Sequence, residues 1–211
     1  MIERRCLIAA MVAILLVAGC GGGTGVGTRS DRDQQIASEA WLAYRAGNYA
    51  QADSTFKEAL SVNPTLSDAL NGRGWANFSL SGREGDANRR AEYLNAAREN
   101  FSRAAAAEPK NADAWAGLAG VELASDNYQK AVSAAEQVLT LDPNYFSSHD
   151  NFNIREIRMI LATAYFFLGK FSTAEGADPH NATAQVVTLD RTFRYTTPVE
   201  LILRIQELQT R

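Results

Sequence analysis

Apolar and polar residues alternate with the period of a helix through most of the chain, and three stretches share one pattern. Counting back from Pro64, Pro109 and Pro143 gives Ala52, Phe56 and Ala59, then Ala97, Phe101 and Ala104, then Ala131, Ala135 and Val138, with identical gaps. Steps of about four and three residues keep each set on one face of a helix, and the proline beyond cannot continue it. A turn precedes each repeat of this kind: Gly47 and Tyr49 before Ala52, Asp126 and Tyr128 before Ala131, Gly169 and Phe171 before Ala174. Glycine there supplies the positive φ that ends a helix tightly, and the aromatic packs into the cleft of the pair. Ahead of the turns come "IASEAWLAYRA", "DALNGRGWANFSL", "DAWAGLAGVELA" and "IRMILATAYFFL". Each carries a small residue (Ala40, Gly74, Ala119, Ala162) where two helices must approach closely. The pattern predicts an all-α chain of stacked helix pairs.

Departures from the pattern carry their own predictions. "GREGDANRRAEYLNA" adds eleven residues to the second unit, and Ala91, Leu94, Ala97 and Phe101 continue a helical stripe through it, so a lengthened second helix is expected there. Arg89 and Arg90 in this insertion read as a solvated helix face. The fourth unit has an expanded start, "FSSHDNFNIREIR", and its second helix is cut off by Glu175-Gly176. Asp178-Pro179 then reads as an N-cap and first residue, making "HNATAQVVTLD" a displaced helix, with a strand as the rival because of Val186, Val187 and Thr188. Near the C-terminus Thr197-Pro198-Val199-Glu200 predicts a capping box, followed by an apolar face of Leu201, Ile202, Ile205 and Leu208. That helix is expected to cover the open end of the stack.

At these residues the chain resembles the tetratricopeptide repeat, a 34-residue helix-turn-helix with the pattern W-x-x-L-G-x-x-Y, A-x-x-x-F and P. Residues 112–145 match best, with Trp115, Leu118, Ala119, Tyr128, Ala131 and Pro143 in register; residues 33–66 follow closely without the opening tryptophan. The resemblance covers residues 33–175, as units 33–66, 67–111 with the insertion, 112–145 and a degenerate 146–175, followed by the displaced and capping helices in 176–211. It implies a helical solenoid whose first helices line a concave side, where extended peptides or partner helices bind in that family. Trp75 lies 34 residues after Trp41, and Phe78 34 after Tyr44. With Arg45, Asn71 and Asp113 these aromatics would line a groove of rigid rings with a few hydrogen-bonding groups. The third unit offers only Ala116, Gly120 and Leu123 there, leaving room for a ligand, and the fourth Met159, Phe166 and Phe167. The competing reading makes Trp41 and Trp75 packing partners between neighbouring repeats.

The N-terminus is of another kind. A basic head, "MIERR", precedes thirteen apolar residues from Cys6 to Ala18, too few for the roughly 20 of a spanning helix, and small residues follow. Val17-Ala18-Gly19-Cys20 resembles the lipobox of bacterial lipoproteins, which implies cleavage of residues 1–19 and acylation of Cys20. Stable anchoring follows from several acyl chains, because one alone is marginal. Residues 20–32, "CGGGTGVGTRSDR", then form a tether. Their glycines do not serve a nucleotide: no register completes G-x-G-x-x-G, and Gly22 to Gly27 is followed by Thr28-Arg29 where a P-loop needs Lys and a hydroxyl. Gly21 beside the lipidated residue weakly favours the outer membrane.

Composition narrows the chemistry further. A net charge of −3, or −4 without the +1 of the first 19 residues, favours neither nucleic acid nor an anionic membrane surface. Cys6 and Cys20 are the only cysteines, so the body holds no disulfide, cysteine metal site or thiol nucleophile. His149 and His180 lie far apart without H-E-x-x-H and read as loop and cap residues, and no serine sits in G-x-S-x-G. Three N-x-S/T triplets, at Asn77, Asn100 and Asn181, are coincidental beside a bacterial lipobox.

The expectation is a lipid-anchored, non-catalytic scaffold in the bacterial envelope, at the outer membrane facing the periplasm. It would bind another envelope protein or peptide segment and the bilayer through Cys20, with no cofactor, nucleic acid or small-molecule substrate. A self-associating repeat closing a homodimer through the aromatic face, or a non-catalytic subunit of an envelope enzyme, are the alternatives.

Overall fold

The computed structural model describes residues 29–171 and 178–210. The signal segment, Cys20 and the tether up to residue 28 lie outside the described residues, as do Ala174 and Glu175-Gly176. Among the described residues there are nine α-helices and no strand: α1 Arg29–Arg45, α2 Tyr49–Val62, α3 Ser67–Arg83, α4 Ala87–Ala107, α5 Ala112–Ala124, α6 Tyr128–Leu141, α7 Ile154–Phe167, α8 Ala182–Leu189 and α9 Pro198–Gln209.

The three repeated apolar sets form the core. Ala52, Phe56 and Ala59, Ala97, Phe101 and Ala104, and Ala131, Ala135 and Val138 are all fully buried. Each phenylalanine seats on a glycine of the following helix. A Cβ at Gly72 would lie 2.1 Å from the Phe56 ring, and one at Gly117 2.3 Å from the Phe101 ring, which also faces Gly74. The two contacts stand 45 residues apart and are one repeat contact made twice. A polar link recurs at the same spacing with its polarity reversed. Asp53 on α2 accepts from Asn77 (2.6 Å) and Arg73 (2.9 Å), whereas Arg98 on α4 donates to Glu122 (3.0 Å).

Successive helices pack against one another, and α1, α3, α5 and α7 also touch one another in series. Among the described residues α2, α4 and α6 touch only the helices before and after them. The first helices therefore form the inner layer of a curved stack and the second helices the outer one. Turn chemistry matches this arrangement. Gly47 and Gly169 have φ of 77° and 69°, and Asp126 takes the same left-handed conformation at 57°.

Several predicted boundaries differ. Helix α1 opens at Arg29, inside the expected tether, because "RSDR" holds no breaker and Asp31 suits the positive end of the helix dipole. The insertion does lengthen a second helix: α4 runs 21 residues from Ala87 and is capped by Asp86, whose carboxylate accepts from the Asn88 and Arg89 N–H groups. The 180–190 stretch is helical, but Asn181 caps α8 by accepting from Ala184 N–H. Asp178, expected as that cap, instead closes a turn on His180 N–H (2.8 Å). At α9 Thr197 accepts from Glu200 N–H and Pro198 occupies the first turn, which is half of the expected capping box. The complete box is at α7, between Asn153 and Glu156. Leu201, Ile205 and Leu208 are buried where α9 packs on α7 and α8.

Candidate partner-binding face

The inner layer brings the predicted aromatics together. Trp41 and Tyr44 stand one turn apart on α1, Trp75 and Phe78 one turn apart on α3, and each tryptophan meets its own repeat's phenylalanine edge-on, Phe56 at 5.0 Å and Phe101 at 5.3 Å. Their indole N–H groups are used alike. Trp41 donates to Asp68 at the start of α3 (2.9 Å), and Trp75 to Asp113 at the start of α5 (2.8 Å). Asn71 also donates to Asp113, at 2.7 Å, and the Tyr145 hydroxyl donates to its other oxygen. Carboxylates at successive helix starts thus fix each ring's orientation while the ring faces stay available.

Those faces are covered by a segment of the same chain. Helices α3 and α5 open three residues past Pro64 and Pro109, whereas α7 opens eleven past Pro143. The eight additional residues, 146–153, fold across the floor formed by α1 and α3. His149 stacks on Trp41 with ring centres 3.6 Å apart and planes 6° from parallel. Asp150 accepts from the Tyr44 hydroxyl at 2.7 Å, and Ser79 stands 3.3 Å from the same oxygen. Phe152 packs tilted against Trp75, with ring centres 5.3 Å apart, and Arg45 Nη1 is 3.5 Å from His149 Nδ1. Under this cover Trp41, Tyr44 and Trp75 are each only 3% exposed, while Phe78 is half-buried.

Burial shapes the titration of these groups. The Tyr44 hydroxyl is pushed far above its ordinary range by burial, with Asp150 adding to the shift, and Tyr145 is raised by burial and by Asp113. Burial lowers His149 below 6.5, Asp68 and Asp113 pull it up, and Arg45 pushes it down. Arg45 has only donors, so its approach to Nδ1 requires an unprotonated nitrogen there.

Beyond Phe152 the inner face stays open. Phe78, Gly120, Leu123, Met159 and Ile160, with Phe152 of the insert and the polar Arg155, Glu156 and Gln209, line a mainly apolar cavity of about 310 Å³. Gly120 and Leu123 stand where the first two repeats carry a tryptophan and a second ring. Of the remaining groups singled out from sequence, His180 pairs with Glu136 (2.8 Å) beside the Tyr165 hydroxyl, on the surface and away from this face. No cluster of metal-ligating side chains occurs among the described residues.

His149, Asp150, Phe152 and Tyr145 were not among the residues expected at the site. Their signal was the length of the segment before α7, which exceeds what a repeat-to-repeat turn needs.

Two tetratricopeptide-repeat models match, one over residues 38–87 and one over 90–150, together more than half of the chain. The chain belongs to the tetratricopeptide-repeat family. A stretch of 82 residues, 38% of the chain, is 40% identical to cellulose synthase 1 operon protein C of Komagataeibacter xylinus, of which it covers 5%. Among solved structures, the repeats resemble the O-GlcNAc transferase of Thermobaculum terrenum with a TM-score of 0.57 at 19% identity, over 78% of this chain and 27% of that one. MamA of Desulfovibrio magneticus gives 0.52 at 15% identity, over 84% and 76%. The Sgt2 repeat domain of Aspergillus fumigatus gives 0.50 at 20%, over 69% and 92%. At these identities the likeness is one of fold.

Proposed function

We propose that this repeat protein is a lipid-anchored adaptor of the bacterial envelope, which holds a segment of a partner protein on its inner face and catalyses no reaction. The observation that carries the reading is the floor of α1 and α3. Three rings, Trp41 and Trp75 with their N–H groups fixed by Asp68 and Asp113 and Tyr44 bonded to Asp150, already grip a stretch of polypeptide through ring contacts and one part-buried hydroxyl–carboxylate bond. Rigid aromatics that keep a polar handle are the make-up of protein-binding hot spots. The lipobox-like Val17-Ala18-Gly19-Cys20 supports an anchor on Cys20, and Gly21, rather than Asp, beside it supports the outer membrane, facing the periplasm. Tethering would raise the local concentration of the domain near its partner without any new contact.

Two measurements test the reading. Labelling with a clickable fatty acid should mark the wild-type chain in bacteria and leave Cys20→Ser unmarked; equal labelling removes the anchor. Cross-linking of the full chain in envelope membranes, mapped by mass spectrometry, should join a partner to residues on α1, α3, α5 and α7. Cross-links confined to the outer helices would reject the inner face as the binding surface.

A further inference from the structure

We infer that the 146–153 insert is an intramolecular ligand of the inner face, and that a partner segment reaches the floor by displacing it with the same ring, carboxylate, ring order as His149-Asp150-Asn151-Phe152. This rests on the reading of the inner face as the partner site and adds both its regulation and its specificity.

The insert is built as a flap. Its ends are tied to each other: Ile154 N–H donates to the Tyr145 carbonyl and Ser147 N–H to the Phe152 carbonyl, both at 2.8 Å, and Phe146 pairs with Asn153. Below the hinge Tyr145 stays bonded to Asp113, and Asn153 caps α7 with Glu156, so the tip can lift without unwinding either neighbour. The remaining turn bonds are local, from His149 N–H to Ser147, from Asn151 N–H to Asp150 and from Asn153 to the Asn151 carbonyl.

What joins the flap to the inner helices is of a different kind. Among the described residues the bonds that cross are side chain to side chain: Asp150 to Tyr44, His149 to Arg45, and Tyr145 to Asp113 at the hinge. The rest is ring against ring, His149 stacked on Trp41 and Phe152 tilted at 58° against Trp75. No ladder of backbone bonds has to break, and a segment bearing an aromatic, an acid and a second aromatic can replace each contact one for one. Phe146, 65% exposed on the flap, takes no part in the grip. A tethered competitor acts at an effective concentration that reaches millimolar for short linkers, so it rejects weak or mismatched segments. Apparent affinity for the right one falls by the fraction of time the flap is open.

The test uses a fluorescent peptide of residues 145–153, "YFSSHDNFN", added to the full chain in detergent. In one variant 147–152 is replaced by a two-residue turn, which the pairing of Phe146 with Asn153 permits and which keeps the Asn153 cap of α7; a second carries Asp150→Ala with Phe152→Ala at full length. Binding to the shortened chain should be at least about tenfold tighter than to wild type, with the double substitution between them and a scrambled peptide unbound. A shortened chain with intact helical content that ignores the peptide overturns the proposal, as does wild-type binding of equal strength. Should the shortened chain not fold, the double substitution decides alone, and an affinity equal to wild type overturns it. If cross-linking shows a partner on the inner face while 146–153 stays docked, the competitor role fails and the adaptor reading stands. A partner only on the outer helices has the opposite meaning, because the peptide titration reads the flap by itself.

Discussion

The first two repeats and the third present the same inner face with opposite contents. On α1 and α3 the face carries Trp41, Tyr44, Trp75 and Phe78, with indole tips pinned to the next repeat and a flap of the chain laid over them. On α5 the equivalent places hold Gly120 and Leu123, which with Met159 of α7 line a cavity of about 310 Å³. The difference shows that a repeat scaffold fixes where a side chain points and leaves open whether that position becomes core or surface. Tryptophan in these places is stabilising because something covers it, whereas glycine in the same place creates a vacancy.

That contrast can be broken by substitution, and the largest effect should come from the rings. Trp75→Ala removes a buried indole and one of three donors to Asp113, and is expected to lower stability by about 3–5 kcal/mol; Leu123→Ala at the open wall should cost about 1 kcal/mol. Urea unfolding followed by helical circular dichroism would measure both, and equal losses would mean that the two halves do not differ. Next come two glycines one turn apart on α5. A methyl at Gly117 meets the buried Phe101 ring at 2.3 Å, whereas at Gly120 it meets Phe78 at 3.2 Å beside open space. Gly117→Ala should lose about 2 kcal/mol even after the gain in helix propensity, and Gly120→Ala should change little or gain a few tenths. Thermal unfolding of the pair would expose a reversal.

A third effect is confined to the covered half. Because burial lowers His149 below 6.5, the folded chain binds fewer protons there than the unfolded one. The contribution of its neutral form is complete above pH 6.5 and declines as the pH falls from there toward the folded value. Acid should therefore loosen the flap, read as a change in Trp41 emission that His149→Gln abolishes and that leaves Trp115 unmoved. Emission insensitive to pH across that window would count against the stacked, neutral imidazole. The smallest effect belongs to the turns. Gly47→Ala should cost about 1 kcal/mol, since its φ of 77° suits glycine, and Asp126→Gly at φ 57° should gain a few tenths after losing the Tyr128 hydroxyl bond. Scanning calorimetry resolves the opposite signs.

The helices and their cores were legible from spacing alone. Ala52, Phe56 and Ala59 with their counterparts are buried as their intervals required, and the added residues before Leu94 extend a helix because the stripe never breaks. Local signals were less decisive where several polar residues competed for one duty. Asp178 and Thr197 both read as caps, yet only Thr197 caps and Asn181 takes the duty expected of Asp178, because a cap is chosen by where the helix can pack. The site was half legible. Its floor followed from the 34-residue register, but the residues laid on it sit in a segment with no periodicity, where side-chain type says nothing about destination.

Sequence by itself determined that this chain stacks helix pairs, which faces they bury and which positions point inward, because periodicity is a one-dimensional property that local geometry converts directly into a face. Only the tertiary structure decided that the inward face of the first two repeats is closed and that of the third is open. That outcome depends on a flap meeting rings more than a hundred residues away, as Tyr44 and Asp150 do, and long-range contacts of this kind are selected by shape and chemistry after the scaffold has brought them within reach.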